Sequence, residues 1–97
     1  MTSKANEPTA SGTGALLDFR VPGVIIWSDS HSGSIQKGLG YPGQYFYNNY
    51  DGDGGPYTCD NGKKTTYWCH GTNGATQVTG WVASCNLVTV DGEERQR

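Results

Sequence analysis

The chain has 97 residues, of which 34% are apolar, 11% aromatic and 16% charged, with a formal net charge of −2; this allows one small domain around a thin core. Nucleic acid is not an expected partner, because neutralising phosphates takes clustered Lys and Arg, and the one local pair, Lys63-Lys64, follows Asn61-Gly62 at a predicted hairpin tip. Membrane insertion is not expected either: the longest apolar run, Val24-Ile25-Ile26-Trp27, is strand length, far short of the roughly 20 residues that span a bilayer.

Residues 1–20 read as a flexible leader, small and polar with one Pro and no periodicity, a composition that cannot offset the entropy of ordering. Met1 to Gly14 has no apolar stretch of the kind a secretory signal carries. The composition itself, poor in Lys and Glu, rich in Gly, Asn, Thr and Tyr and holding three Cys, resembles extracellular domains. An extracellular or cell-wall location is therefore expected, with a virion as the alternative. Within the leader, Ala15 to Phe19 ("ALLDF") is an apolar island, read either as an extra strand or turn docked on the domain or as a partner-binding segment.

Fifteen Gly, three Trp and six Tyr, without helix-forming runs, predict an all-β domain over 21–91 and a charged tail over 92–97. Val24 to Ser28 is the first strand, "SDSHSGS" a polar loop, and Ile35 to Gly40 an irregular second strand. "YPGQ" is a turn, with Pro42 presetting φ and Gly43 free to take a positive one. Gln44 to Tyr50 is a strong strand; alternation places Phe46 on one face and Tyr45 and Tyr47 on the other. "DGDGG" reads as a mobile loop. "YTCDNGKKTTYWCH" reads as a hairpin with a two-residue type I′ turn at Asn61-Gly62, "GTNGAT" as a further turn, and Gly80 to Val90 as the last strands.

The cysteines Cys59, Cys69 and Cys85 allow three pairings. Under the expected register, Cys59 faces Lys64 and Lys64 pairs with Ala83. Cys59 and Cys85 then share a face and Cys69 takes the other, so any bridge is expected between Cys59 and Cys85. A catalytic thiol would need a base beside it, and Cys69 and His70, as strand neighbours, point to opposite faces. The Cys and His residues lack the close paired spacing of a zinc site, and the position where a calcium loop would need its bidentate acid is Gly62. A triad of Ser28 or Ser30 with His31 and Asp29 would lie within one loop and has no nucleophile elbow. No catalysis, metal or cofactor is expected.

The order "GVIIWS", a Ser/Gly-rich loop, "IQKGLGYPGQYFYNNY", Trp68 and finally "TGWVASCNLV" resembles the bacterial SH3-like (SH3b) domain, especially the small versions in actinobacterial secreted proteins. The likeness spans about Val21 to Val90 and rests on Val24-Ile25-Ile26, Gly43, Trp68, Gly80-Trp81-Val82 and Leu87. It departs from the family at Trp27, where an Arg is usual, in the loop that follows, and in a longer "DGDGGPYTCDNGKKTT" segment. The resemblance implies a small SH3-like barrel of five to six short strands that binds without catalysing, often to cell wall peptides, or that plays a structural role beside another module. The expected ligand-binding residues are Trp27, His31, Tyr45, Tyr47, Tyr50, Trp68 and Trp81, with His31 the pH-sensitive contact. The expected partner is cell wall peptide or glycan, or a protein. Two alternatives stand beside it: an accessory subunit of a larger assembly such as a phage virion, docking through Ala15 to Phe19, and a small secreted inhibitor or toxin.

Overall fold

The computed structural model describes residues 15–91. The leader up to residue 14 and the tail over 92–97 lie outside the described residues. Seven strands form one antiparallel sheet: β1 (Leu16–Phe19), β2 (Val24–Trp27), β3 (Gln36–Gly40), β4 (Phe46–Thr58), β5 (Lys64–Asn73), β6 (Thr79–Ala83) and β7 (Leu87–Thr89). A single 3-10 turn, Ser84–Asn86, joins β6 to β7. The spatial order is β3-β2-β6-β5-β4-β1-β7, which leaves β3 and β7 at the two ends of the ladder. Among the described residues no helix is long and apolar enough to cross a membrane.

Three expectations change here. The leader ends earlier than residue 20: Leu16–Phe19 takes the extra-strand reading of its apolar island and is paired on both sides, with β4 and with β7. Alternation explains it: Leu17 and Phe19 are buried in the core, so ordering the strand is offset by apolar burial. The count of five to six short strands becomes seven, and β4 alone is 13 residues long. Its length comes from "DGDGG", which is no loop: Asp51, Gly52 and Asp53 pair with Cys69, Trp68 and Tyr67 of β5.

Those glycines are selected by a neighbour. The loop after β2 lies over β4, and a Cβ on Gly54 would sit 2.0 Å from the Ser30 carbonyl oxygen. Gly55 N–H donates to that same oxygen at 2.9 Å. Between Asp53 and Tyr57 the pairing shifts through a bulge, where Pro56 needs no ladder donor.

The β4–β5 hairpin also differs from expectation. Gly62 N–H donates to Cys59 O, Cys59 N–H donates to Lys63 O, and Gly62 has φ +87°. The loop is thus three residues, Asp60 to Gly62, with Gly at the left-handed position. The register moves by one: Thr58, not Cys59, faces Lys64, and Ala83 pairs with Trp68 rather than Lys64.

Strand β5 is buried on both sides where it crosses the middle of the sheet. On the inner face Cys69 joins Leu17, Phe19, Val24, Ile26, Phe46, Val82 and Leu87. On the outer face Trp68 packs with Trp27 and Ala83, flanked by Ile25, Tyr57, Trp81 and Cys85. The inner core also draws the chain ends of the sheet together, since the Phe19 ring lies so close over Gly40 that a Cβ there would be 2.3 Å away. Asp18 adds a polar tie. Its carboxylate accepts from Gly43 N–H at 3.0 Å and Tyr45 N–H at 3.3 Å, fixing the turn in which Gly43 has φ +96°.

Candidate functional site

Beyond the glycine cover the outer face of the sheet opens, and register aligns aromatic side chains there. Tyr50 of β4 stands opposite His70 of β5, and His70 opposite Trp81 of β6. Their rings touch. Tyr50 and His70 stack with centroids 4.6 Å apart and planes 8° from parallel. Trp81 meets Tyr50 edge-on at 5.7 Å and His70 at 5.1 Å. One register step away, Tyr47 faces Thr72 and Thr72 faces Thr79, and the two threonine hydroxyls hydrogen-bond at 2.8 Å.

A bulge makes this row possible. Strict alternation from Tyr47 would turn Tyr50 toward the interior beside Asn48. The pairing skips Asn49, and the extra residue re-aims Tyr50 to the face that Tyr47 occupies. Both tyrosines are about half exposed, at 53% for Tyr47 and 50% for Tyr50. Gly52 completes the platform by what it lacks. A Cβ there would be 3.5 Å from the far edge of the Trp81 indole, so the glycine puts no side chain over that edge.

His70 is half-buried, and its Nδ1 is shielded from solvent with no hydrogen-bond partner. Burial first, and the Lys37 ammonium second, hold its pKa below the ordinary value. A neutral imidazole therefore sits in the row near neutral pH, with one nitrogen to donate and one to accept.

Of the residues singled out from the sequence, Tyr47, Tyr50 and Trp81 come together on this face. Trp68 does not join them. It is fully buried, and its indole N–H donates to Gly55 O at 2.9 Å. Trp27 is 7% exposed and packs against Trp68 and Ala83, so neither offers a ring face to a ligand. Tyr45 is exposed at the turn before β4, with φ +67°, and enters no ring contact among the described residues. His31 lies over the β4 bulge, where a Cβ on Gly55 would be 3.1 Å from its own Cβ. The loop's polar groups serve the loop: Ser28 Oγ accepts from Ile35 N–H, Ser34 Oγ donates to His31 O, and Asp29 accepts from Ser30 N–H. His31 Nε2 lies 3.7 Å from an Asp29 carboxylate oxygen in the same loop.

His70 and Gly52 are the members that sequence reading missed. Adjacent pairs such as Cys69-His70 reveal opposite faces, but only register shows which face carries Tyr50 and Trp81. Cys69 is a buried thiol on the inner face, across the sheet from His70. Cys59 and Cys85 form a disulfide with their Cα atoms 6.1 Å apart. Beside it, Arg20 donates from Nε to Cys85 O and from Nη2 to both Asp60 Oδ1 and Asn86 Oδ1. A cavity of about 220 Å³ lies next to these groups, lined by Val21, Pro22, Ile25, Tyr57, Asp60 and Asn86, and shares no residue with the ring row. Among the described residues no group of three or more His, Cys, Asp or Glu is placed to hold a metal ion. No protein-family model, curated protein or solved structure matches the chain.

Proposed function

We propose that the chain is a non-catalytic binding module on an SH3-like barrel, acting outside the cytoplasm on the peptide or glycan of the bacterial cell wall. The observation that carries this is the Tyr50–His70–Trp81 row, three touching rings presented on rigid, neighbouring strands. Preassembled aromatic side chains give a ligand large contact area at little entropic cost. The barrel is supported by the connectivity: β7 follows β6 through one 3-10 turn to pair with β1, and the β2–β3 hairpin folds back onto β6. The Cys59–Cys85 bridge supports an oxidising compartment. Placing the Cys69 thiol and the His70 imidazole on opposite faces favours binding over thiol catalysis. The strip through which the virion alternative would dock is less free for a neighbour, since Leu17 and Phe19 are buried in the chain's own core.

The test is retention of the full chain on insoluble peptidoglycan sacculi. Wild type is expected to sediment with them, and Tyr50→Ala to remain in the supernatant with an unchanged melting curve. Retention no greater than that of a denatured control would remove the proposal.

A further inference from the structure

We infer that the ring row takes a neutral glycan rather than a peptide, an assignment that rests on the binding-module reading and narrows it. Peptides are held in two common ways that this face does not offer. Strand addition needs a free sheet edge, yet β4, β5 and β6 are all interior, with the ladder ends at β3 and β7. An extended proline-type peptide needs grooves between separated aromatic rings, whereas Tyr50, His70 and Trp81 touch at 4.6–5.7 Å and leave no slot between them.

A sugar fits what is present. Its C–H-rich face is apolar and faintly positive, and it packs on the negative face of an aromatic ring. Tyr50 gives one ring face to His70 and stays half exposed. Gly52 puts no side chain over the edge of Trp81, whose ring stands at 76° to the Tyr50 ring. Tyr47, Thr72 and Thr79 flank the rings with hydroxyls on the same strands, and the charge that reaches the row is the Lys37 ammonium, which acts on His70. Hydroxyls paired with each other, as Thr72 and Thr79 are, can exchange partners with ligand hydroxyls at little net cost. From β4 to β6 the platform measures roughly 10 Å, two strand spacings, which is the length of a disaccharide.

The experiment keeps the parent reading separate. The full chain is bound to sacculi and challenged with soluble chitotetraose, a neutral oligosaccharide, or with a soluble wall stem peptide. In parallel, chitotetraose is titrated directly while tryptophan fluorescence is followed. Chitotetraose is expected to release the protein and to shift its fluorescence. Tyr50→Ala and Trp81→Ala should weaken that titration by about tenfold or more, the worth of one lost ring contact, while Trp81→Phe recovers part of it. Thermal melts of each variant show whether it folds, and Tyr50→Ala, at a half-exposed position, decides the matter if Trp81→Ala does not. Release by the stem peptide and not by chitotetraose would overturn the glycan assignment and leave the binding module standing. Release by neither would overturn the assignment too. No retention on sacculi, together with no chitotetraose titration, would sink both.

Discussion

The two faces of β5 make the most instructive contrast in the molecule. On the inner face, Cys69 sits in a continuous apolar cluster drawn from five other strands. On the outer face, adjoining residues meet different fates. Trp68 is sealed against Trp27, Ala83 and Tyr57 with its indole N–H on Gly55 O of β4, whereas His70, two residues on, lies past that cover with Tyr50 and Trp81. The same aromatic chemistry is thus core in one register row and surface in the next. What separates them is where a covering segment ends, and the glycines of β4 set that boundary. An aromatic face is available to a ligand because the cover stops.

The sharpest way to break the contrast is to empty the sealed half. Trp68→Ala should cost about 3–5 kcal/mol, the range for deleting a large buried aromatic, and urea denaturation would measure it. A much smaller loss would mean that Trp68 is not the outer core's keystone. Next comes the staple beside that core. Opening Cys59–Cys85, whose partners are 26 residues apart, by the double change Cys59→Ser and Cys85→Ser should cost roughly 3–4 kcal/mol from the freed unfolded chain. Reduction of the wild type should match the double variant, since Cys69 is buried on the other face.

How much of this was legible in the sequence follows from which distances matter. Val24-Ile25-Ile26, the Pro42-Gly43 turn and the separation of Phe46 from Tyr45 and Tyr47 depend on local propensity and period-two alternation, and the structure has β2, the Tyr41–Gln44 turn and a buried Phe46 between two exposed tyrosines there. "DGDGG" misleads because glycine is a loop signal locally, while here it answers the approach of Ser30 from another part of the chain. Trp68 was unreadable for a related reason: Trp68-Cys69 is an apolar pair buried on both faces, and alternation cannot rank two buried sides. The hairpin loop contains one more residue than the Asn-Gly pair implies, which displaced the register while leaving Cys59 and Cys85 near each other. The ring row needed both that register and a bulge at Asn49, neither of which has a local signature.

Two glycines sharpen the boundary. Gly54→Ala forces a Cβ against the Ser30 carbonyl at 2.0 Å, and backbone on both sides has little room to yield. It should cost about 1–3 kcal/mol, like other overpacked sites. Gly52→Ala meets Trp81 at an ordinary 3.5 Å, so its stability should stay within about 0.5 kcal/mol of wild type. The functional readout inverts the order. Gly52→Ala adds a methyl beside the indole edge and should weaken retention on sacculi, whereas Gly54→Ala should retain at temperatures where it remains folded. Equal behaviour of the two variants in both assays would show that the glycine run is one structural unit with no boundary in it.

The smallest expected effect distinguishes the faces by pH. Burial, and then the charge of Lys37, lower the His70 pKa below its ordinary value of 6.5. As pH falls through that value, the unfolded chain takes up this proton while the folded chain does not. In the window from 6.5 down to the lowered pKa the unfolded state therefore binds more protons, and stability rises with pH across it. The contribution is complete above 6.5 and is lost as pH drops through the folded value. His70→Gln should abolish this component, so the difference between wild-type and variant stability profiles isolates it from His31 and the carboxylates. Lys37→Gln should raise the His70 pKa toward its ordinary value and narrow the window, as an NMR titration of the imidazole would show. Because the inner cluster holds no imidazole, the resonances of Phe46 and Val82 should stay fixed through the same titration while those of Tyr50 and Trp81 move. If the inner resonances move in step with the outer ones, the two faces of β5 are coupled, and the ring row is an extension of the core rather than a surface laid over it.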